Sequence, residues 1–233
     1  MKPQLSLVVP VYNEAGNLAP LVRTAAQTLA TLGRGHEIIL VNDGSTDGTA
    51  EEIATLAREY PACRELRLPQ NQGQARALLA GLREAQGDYL LTMDGDAQND
   101  PRDFPALLAL VESGQCDLAC GWRVDRHDSL LRKLMSRLAN GVRRAILQDH
   151  VHDAGCQLRV MRAAVRTAFE PMELMQSFVP ALAAGAGFRI AERPVRHHAR
   201  QHGESKYGLG RLWWRPAVAM LALRWRLWRR PRS

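Results

Sequence analysis

Two aspartates separated by one glycine end a short apolar run, and their carboxylates suggest the first chemistry. The run begins at Tyr89 and stops at Asp94-Gly95-Asp96, which predicts a buried strand that emerges at its carboxyl end. Ligands bind at that end of the strands in open α/β sheets. Two carboxylates this close can converge on a hard divalent cation, and Gln98 adds a neutral oxygen nearby. The alternative is a simple turn, which is the commonest meaning of Asp-Gly.

The elements that must position these aspartates follow a regular alternation. Apolar runs predict strands at residues 5–10, 37–41 and 64–68, and helical periodicity predicts helices at about 18–32, 49–60 and 72–85. One of Ser45, Thr46 or Asp47 is expected to cap the second helix. A β-α-β-α-β-α-β order requires a mostly parallel sheet with helices on both faces, so the predicted fold class is α/β. The loops after the first, second and fourth strands should then meet at one sheet edge.

Composition narrows the class of protein. The chain has 233 residues, of which 46% are hydrophobic and 24% charged, as in an ordinary folded protein with one sizeable core. Its four cysteines lack metal-ligand spacing and are expected to be reduced thiols in a cytoplasmic compartment. We recognise no signal peptide and no apolar run of the ~18 residues that a membrane span needs. No G-x-G-x-x-G follows the first strand and no Walker A loop occurs, which disfavours both kinds of phosphate-binding loop.

Charge is distributed unevenly between the two halves of the chain. Residues 1–120 contain nine Lys and Arg against sixteen Asp and Glu, whereas residues 121–233 contain twenty-two against eight. An acidic half followed by a basic half predicts a cation site in the first and an anionic partner for the second. Charge alone leaves nucleic acid, phosphate ligands and an anionic membrane surface open as that partner.

Four motifs identify a resemblance to a known family. In one-letter code they are VPVYNE from Val9, VNDGSTD from Val41, NQG from Asn71 and DGDAQNDP from Asp94. In order and spacing they resemble family 2 glycosyltransferases of the GT-A fold, within which the chain looks most like the dolichyl- and polyprenyl-phosphate sugar transferases. The resemblance implies a Rossmann-like GT-A catalytic domain at residues 1–210, with a mostly parallel sheet.

The resemblance also implies a donor site and a metal site. Asp94, Asp96 and Gln98 would hold Mg²⁺ or Mn²⁺ on the diphosphate of a GDP- or UDP-sugar, and the ordered motifs favour this over the turn interpretation. The residues implied in donor binding are Pro10, Tyr12, Glu14, Asp43, Gln74 and Asp94.

The basic half carries the implied acceptor site. The segment RQHGESKY from Arg200 resembles the family loop that closes over donor and acceptor, and the Asp and Arg of DAGCQLR from Asp153 match another family motif. Relatives often have His-Arg where this chain has Gln176-Ser177. The residues implied at the acceptor phosphate are Arg123, Arg132, Ser136, Arg200, Ser205 and Lys206, and those implied in catalysis are Asp94, Asp96, Arg123, Arg200 and Lys206. The alternative for the charged face of the helix predicted near residues 131–142 is simple solvation.

The last residues form a separate, basic segment. Residues 211–233 contain seven Arg and no acidic residue, interleaved with Trp213, Trp214, Trp225 and Trp228. This pattern predicts an amphipathic helical tail that lies in the membrane interface, with cations on anionic lipid. The alternative is a helix docked on the catalytic domain.

Together these features predict a metal-dependent glycosyltransferase, and the family resemblance implies inversion at the anomeric carbon. It would move a sugar from a nucleotide donor to an undecaprenyl or dolichyl phosphate, as a peripheral protein at the cytoplasmic face of the membrane. A family 2 enzyme with a non-lipid acceptor in polysaccharide or glycoconjugate synthesis is the first alternative. A basic nucleic-acid-binding module is a remote one, because no groove-reading or stacking motif is present.

Overall fold

A seven-stranded sheet lies at the centre of the molecule, between helices on its two faces. The computed structural model describes residues 2–123, 141, 143–147, 151–198 and 219–224. In chain order the named elements are β1 (Leu5–Val11), α1 (Leu18–Thr31), β2 (His36–Asn42), α2 (Thr49–Glu59), β3 (Cys63–Arg67), α3 (Gln74–Glu84), β4 (Tyr89–Thr92), α4 (Phe104–Glu112), β5 (Leu118–Arg123), β6 (Arg159–Arg162), α5 (Met175–Gly185) and β7 (Ile190–Val195).

The strand order places one reversed strand inside a parallel sheet. The order is β3-β2-β1-β4-β6-β5-β7, and β6 is antiparallel to both of its neighbours while the other pairs are parallel. This confirms the predicted α/β class with a mostly parallel sheet. Because β6 runs backwards, its first residue, Arg159, lies at the edge where the other strands end, in register with Thr92 and Cys120.

Alternation along the strands builds a core on each face of the sheet. In β1, Leu5, Leu7 and Val9 join one buried cluster and Val8 joins the other. Helices α1, α2 and α4 cover the first cluster, and α3 and α5 cover the second. Each fully buried aliphatic side chain contributes about 1.5–3 kcal/mol, so this packing holds the sheet edge as a rigid platform.

The first half of the fold agrees with the sequence predictions. Strands β1 to β4 and helices α1 to α3 all occur, with ends within about two residues of those predicted. The predicted N-cap of α2 was wrong: Gly48 is at that position, and Asp47 just before it accepts a hydrogen bond of 3.0 Å from the backbone N–H of Thr49. Helices α4 and α5 were not predicted; α4 begins at Phe104-Pro105, where proline suits a first turn.

The described part of the basic tail packs on the core. Residues 219–224 are helical, with Met220 and Leu223 buried in the cluster beneath α3 and α5, and with Leu221 exposed. Across the described segments, no helix combines the length and the apolarity that crossing a bilayer requires. The boundary at residue 210 and the membrane role of residues 211–233 stay predictions, since most of that segment lies outside the described residues. The four cysteines are free and buried, as expected for reduced thiols.

Candidate active site

A cleft of about 380 Å³ opens where β1, β2 and β4 end. Its size is within the range of small-molecule sites, and its position is the one predicted for a ligand of an α/β sheet. All six residues predicted to bind a donor line it. The complete lining is Pro10, Val11, Tyr12, Glu14, Asp43, Asn71, Gly73, Gln74, Ala77, Asp94, Gly95 and Asp96.

One wall of the cleft is organised by Asp43, which follows β2. Its two carboxylate oxygens accept hydrogen bonds of 2.8 Å from the backbone N–H groups of Gln72 and Gly73. Gly44, at a φ of +70°, allows this loop to approach, because a Cβ there would lie 2.7 Å from the backbone nitrogen of Asn71. The strand end and the start of α3 are therefore joined into one rigid surface.

The loop after β1 is tied to the loop after β2. Asn13, at a φ of +51°, donates its backbone N–H to the Ser45 hydroxyl at 3.1 Å and accepts the N–H of Thr46 at 2.8 Å. The next residue, Glu14, donates its N–H to the hydroxyl of Thr49 at 2.9 Å. A positive φ at a non-glycine residue is sustained only by such surrounding contacts. They fix the backbone that presents Glu14 to the cleft.

The opposite wall carries the paired acids after β4. Asp94 accepts a hydrogen bond of 2.6 Å from the Gln74 amide, and Asp96 accepts one of 3.2 Å from the backbone N–H of Gln98. Burial, followed by the negative charge of Asp96, raises the pKa of Asp94 well above the usual carboxyl range. The positive charge of Arg159 is the largest influence in the opposite direction.

The acid pair fits a divalent cation that shares its ligands with substrate. No group of three or more His, Cys, Asp or Glu side chains within the described ranges is arranged to hold a metal ion. A bound cation would nonetheless relieve the repulsion between Asp94 and Asp96. Mg²⁺ commonly has one or two carboxylates and several phosphate oxygens as its ligands. The Gln98 side chain does not line the cleft, so its role as a ligand stays a prediction.

Arg123, at the end of β5, is held by Asp153. The Nε and Nη2 atoms of Arg123 lie 2.7 Å and 2.9 Å from the two carboxylate oxygens, in a fork geometry. Burial alone would lower the pKa of the Arg123 guanidinium, but the hydrogen bonds and charge of Asp153 raise it. A Cβ at Gly155 would lie 2.9 Å from Nη2, so glycine makes room for the pair. The Asp153 carboxylate therefore already binds the Nε–Nη2 edge of Arg123, a residue that was predicted to bind the acceptor phosphate.

A second arginine, Arg159, belongs to the DAGCQLR motif that resembles the family, but no role in the site was predicted for it. It is fully buried at the start of β6, where Nη1 donates to the Gln157 side chain and Nη2 to the Ala154 carbonyl, both at 2.9 Å. Its Nε has no hydrogen-bond partner. A single arginine inside the apolar run from Leu158 to Met161 is the sequence signal that could have revealed it.

The segment after β7 contacts the loop that carries the acids. The backbone N–H of His198 donates to the Gln98 carbonyl at 2.9 Å, and the ring Nε2 lies 3.3 Å from a carboxylate oxygen of Asp100. Gln176, in α5, is buried with no partner for its side-chain oxygen. Five predicted acceptor residues lie outside the described residues: Arg132, Ser136, Arg200, Ser205 and Lys206.

Proteins of known sequence similar to this chain include two named transferases. The dodecaprenyl-phosphate galacturonate synthase of Rhizobium johnstonii is 43% identical over 212 residues, which are 89% of this chain and 63% of that protein. The undecaprenyl-phosphate 4-deoxy-4-formamido-L-arabinose transferase of Edwardsiella ictaluri is 39% identical over 210 residues, 89% of this chain and 64% of that protein. The chain thus spans somewhat less than two thirds of the length of these relatives.

Solved structures support the fold. Glucosyl-3-phosphoglycerate synthase from Mycobacterium tuberculosis in complex with uridine diphosphate superposes with a TM-score of 0.68 at 19% identity, covering 95% of this chain and 80% of that one. The mannosyltransferase PcManGT from Pyrobaculum calidifontis, in complex with GDP-mannose and Mn²⁺, gives 0.58 at 22% identity, covering 83% and 55%.

The family assignment rests on both sequence comparisons. The model of the family described as glycosyl transferase family 2 matches residues 6–167, which include β1 to β6 and the whole cleft. The relatives at 43% and 39% identity extend the similarity to most of the chain. The chain belongs to glycosyl transferase family 2.

Proposed function

We propose that this protein is a metal-dependent, inverting glycosyltransferase that moves a sugar from a nucleotide-sugar donor to a polyprenyl phosphate. The observation that carries the proposal is that Asp94 and Asp96 line the same cleft as Glu14 and Asp43, at the end of the sheet. Membership of family 2 supports sugar transfer. The names of both relatives, which specify dodecaprenyl phosphate and undecaprenyl phosphate, support the acceptor class.

In this proposal the donor lies along the cleft lining. The rigid wall formed by Asp43 and the 71–73 loop would hold the nucleoside, together with Pro10, Tyr12 and Glu14. Gln74, which already bonds to Asp94, would keep that carboxylate turned toward the diphosphate. The UDP and GDP-mannose present in the two solved structures support a nucleotide-linked donor.

The acid pair would hold the cation of the donor complex. Asp94 and Asp96 would contribute carboxylate oxygens and Gln98 an amide oxygen, for Mg²⁺ or Mn²⁺. When bound, the cation supplies Lewis-acid stabilisation of the charge that develops on the leaving diphosphate. The Mn²⁺ of the PcManGT complex supports this choice of metal.

The transfer itself requires one bond to form and one to break. An oxygen of the acceptor phosphate attacks the anomeric carbon opposite the leaving group, and the bond to the diphosphate breaks with its electron pair passing to a phosphate oxygen. The acceptor is already an anion near neutral pH, so it needs positioning and charge balance more than a general base. Arg123 would contribute to that balance from β5; Arg132, Ser136, Arg200, Ser205 and Lys206 are proposed for the same purpose.

Peripheral attachment at the cytoplasmic face of the membrane completes the proposal. A polyprenyl phosphate must be taken from a bilayer, and the Trp and Arg residues of the 211–233 segment suit the headgroup region.

A reconstituted transfer reaction tests the proposal. The protein is incubated with Mn²⁺ or Mg²⁺, a panel of UDP- and GDP-sugars that includes UDP-galacturonic acid, and a short polyprenyl phosphate. We expect a glycolipid of the corresponding mass, and we expect its formation to stop with EDTA and in the Asp96→Asn variant. Asp88→Asn is the control, because Asp88 is exposed and remote from the cleft.

Two results would reject the proposal or redirect it. Undiminished turnover by Asp96→Asn would remove the metal role of the acid pair. Transfer to a soluble acceptor, with none to polyprenyl phosphate, would favour the alternative of a family 2 enzyme with a non-lipid acceptor.

A further inference from the structure

Arg159 brings a buried positive charge to the end of β4. It pairs in register with Thr92, two residues before Asp94, because β6 enters the sheet from the edge at which β4 ends. It is fully buried, so its guanidinium cannot reach solvent or substrate directly. Its position follows from the one reversed strand in the described sheet.

No carboxylate in the described part of the chain forms an ion pair with this guanidinium. Its hydrogen bonds go to two neutral oxygens, those of the Gln157 side chain and the Ala154 carbonyl, and its Nε has none. Arg123 differs, because Asp153 neutralises it in a direct pair. A buried charge without a paired counter-ion is costly, so Arg159 requires compensation from a charge farther away.

The acid pair begins two residues after Thr92, the residue of β4 with which Arg159 pairs in register. Arg159 is the strongest of the positive groups that favour ionised Asp94, ahead of Arg123. Asp96 adds a second negative charge beside Asp94. Two acids thus line the cleft wall, and Arg159 lies behind them as a fixed positive charge in the protein interior.

We propose that Arg159 is a positioning residue that acts as the internal counter-ion of the Asp94–Asp96 pair and makes cation and diphosphate bind together rather than singly. Its charge stabilises the two carboxylates side by side before the metal arrives, and it opposes the binding of a lone divalent cation. The negative diphosphate offsets that opposition when it enters with the metal. This inference rests on the proposed function, since it assigns the acid pair to a cation of the donor complex.

Binding of Mn²⁺ alone to the full chain, without donor, tests the inference. Isothermal titration calorimetry or the electron paramagnetic resonance of free Mn²⁺ gives the dissociation constant. At a pH high enough to ionise Asp94 in every variant, loss of this positive charge near a divalent ion should tighten binding in Arg159→Met by about five-fold or more. Arg159→Lys keeps the charge and should stay within about two-fold of the wild type on the same reasoning. A merely structural role predicts the opposite sign, because a distorted site binds metal more weakly.

The binding of diphosphate gives an independent readout. UDP and GDP, each titrated with saturating Mn²⁺, should bind Arg159→Met more weakly than wild type, so the two affinities move in opposite directions. Arg162→Met is the matched control. It removes an arginine from the same strand, but Arg162 pairs with Asp117 and not with the acid pair. It should leave both affinities unchanged.

The folding control and the remaining binding results each support or reject the inference. Circular dichroism confirms folding, and if Arg159→Met fails to fold then Arg159→Gln, which can still donate to the Ala154 carbonyl, must show the tightening. Equal or weaker Mn²⁺ binding by a folded neutral variant, or an Arg159→Lys that behaves like Arg159→Met, rejects the inference alone. Absence of Mn²⁺ binding to the wild type even with saturating UDP or GDP rejects both the inference and the metal role in the proposed function.

Discussion

Arg123 and Asp153 form a two-pronged ion pair that joins the end of β5 to the chain leading into β6, with N···O distances of 2.7 Å and 2.9 Å. The side chains are 16% and 6% exposed, so water screens the pair poorly. The pair sets the orientation of a positive group whose charge reaches Asp94.

Breaking this pair should destabilise the fold. Asp153→Asn leaves the Arg123 guanidinium buried beside a neutral partner, and we expect a loss of about 2–4 kcal/mol in the free energy of unfolding. Urea denaturation at neutral pH measures it. The control is Arg189→Met, which breaks the Arg189–Asp117 pair where the arginine is 61% exposed. It should cost no more than about 1 kcal/mol. Equal losses of unfolding free energy in the two variants would contradict the prediction that the buried Arg123–Asp153 pair stabilises the fold more than the exposed pair.

Binding of Mn²⁺ should weaken on mild acidification. Burial and the charge of Asp96 raise the pKa of Asp94, so the incoming cation must displace a proton at pH values where an ordinary carboxyl is already ionised. We expect the dissociation constant for Mn²⁺ to rise steadily between about pH 8 and about pH 5, above the usual Asp pKa of about 4. Titration calorimetry across that range measures it. Asp94→Asn should bind more weakly and lose this dependence; a flat profile in the wild type would refute the prediction.

Gly44→Ala should damage both stability and nucleotide binding. The new Cβ meets the backbone of the 70–71 loop at 2.7 Å, at a φ of +70° that already disfavours alanine. We expect the cost in unfolding free energy to exceed the ~1–2 kcal/mol of the backbone conformation alone. UDP and GDP affinity should fall with it, because that loop bonds to Asp43.

Gly33→Ala is the matched control for this substitution. Gly33 has a similar φ of +64°, but a Cβ there would meet no atom within 4 Å, and the residue does not line the cleft. Urea denaturation and nucleotide titration should show only the conformational cost for Gly33→Ala, with unchanged nucleotide affinity. If the two variants lose the same unfolding free energy and keep the same nucleotide affinity, the close approach of Gly44 to the 70–71 loop contributes nothing to stability or binding.

Asp100→Asn should reduce stability at neutral pH but not in acid. Burial would raise the pKa of Asp100, yet the backbone N–H of Arg102, the His198 ring and the charges of Arg102 and Arg196 together lower it. A carboxyl whose pKa is lower in the folded protein contributes stability above its unfolded pKa and loses it as the pH falls through the folded value. We therefore expect a difference of about 1–2 kcal/mol from wild type at pH 7. It should begin to decrease near the unfolded pKa of about 4 and disappear as the pH falls further through the lowered folded pKa.

Urea denaturation at several pH values measures this difference. Asp88→Asn is the control, because Asp88 is 62% exposed and its partner Lys2 is 66% exposed. That variant should differ little from wild type at any pH. A difference for Asp100→Asn that persists in acid would show that its carboxylate charge is not the cause.

The sequence predicted the part of the site that depends on local pattern. Apolar runs ending in polar residues located β1, β2 and β4, and parallel pairing brings Glu14, Asp43 and Asp94 to one edge. The direction of β6 could not be predicted in this way, because side-chain alternation is the same in a parallel and an antiparallel strand. The position of Arg159 at the end of β4 was missed for that reason. Helix α5 contains Pro180, which conceals its helical pattern.

The reversed direction of β6 has a consequence for how this architecture can diversify. β5 ends at Arg123 and β6 begins at Arg159, so both ends of the connection between these antiparallel strands lie at the same edge of the sheet. Lengthening such a connection adds little closure entropy and disturbs no pairing of the sheet. A change of length between β5 and β6 is therefore a change that the strand pairing around the cleft can tolerate.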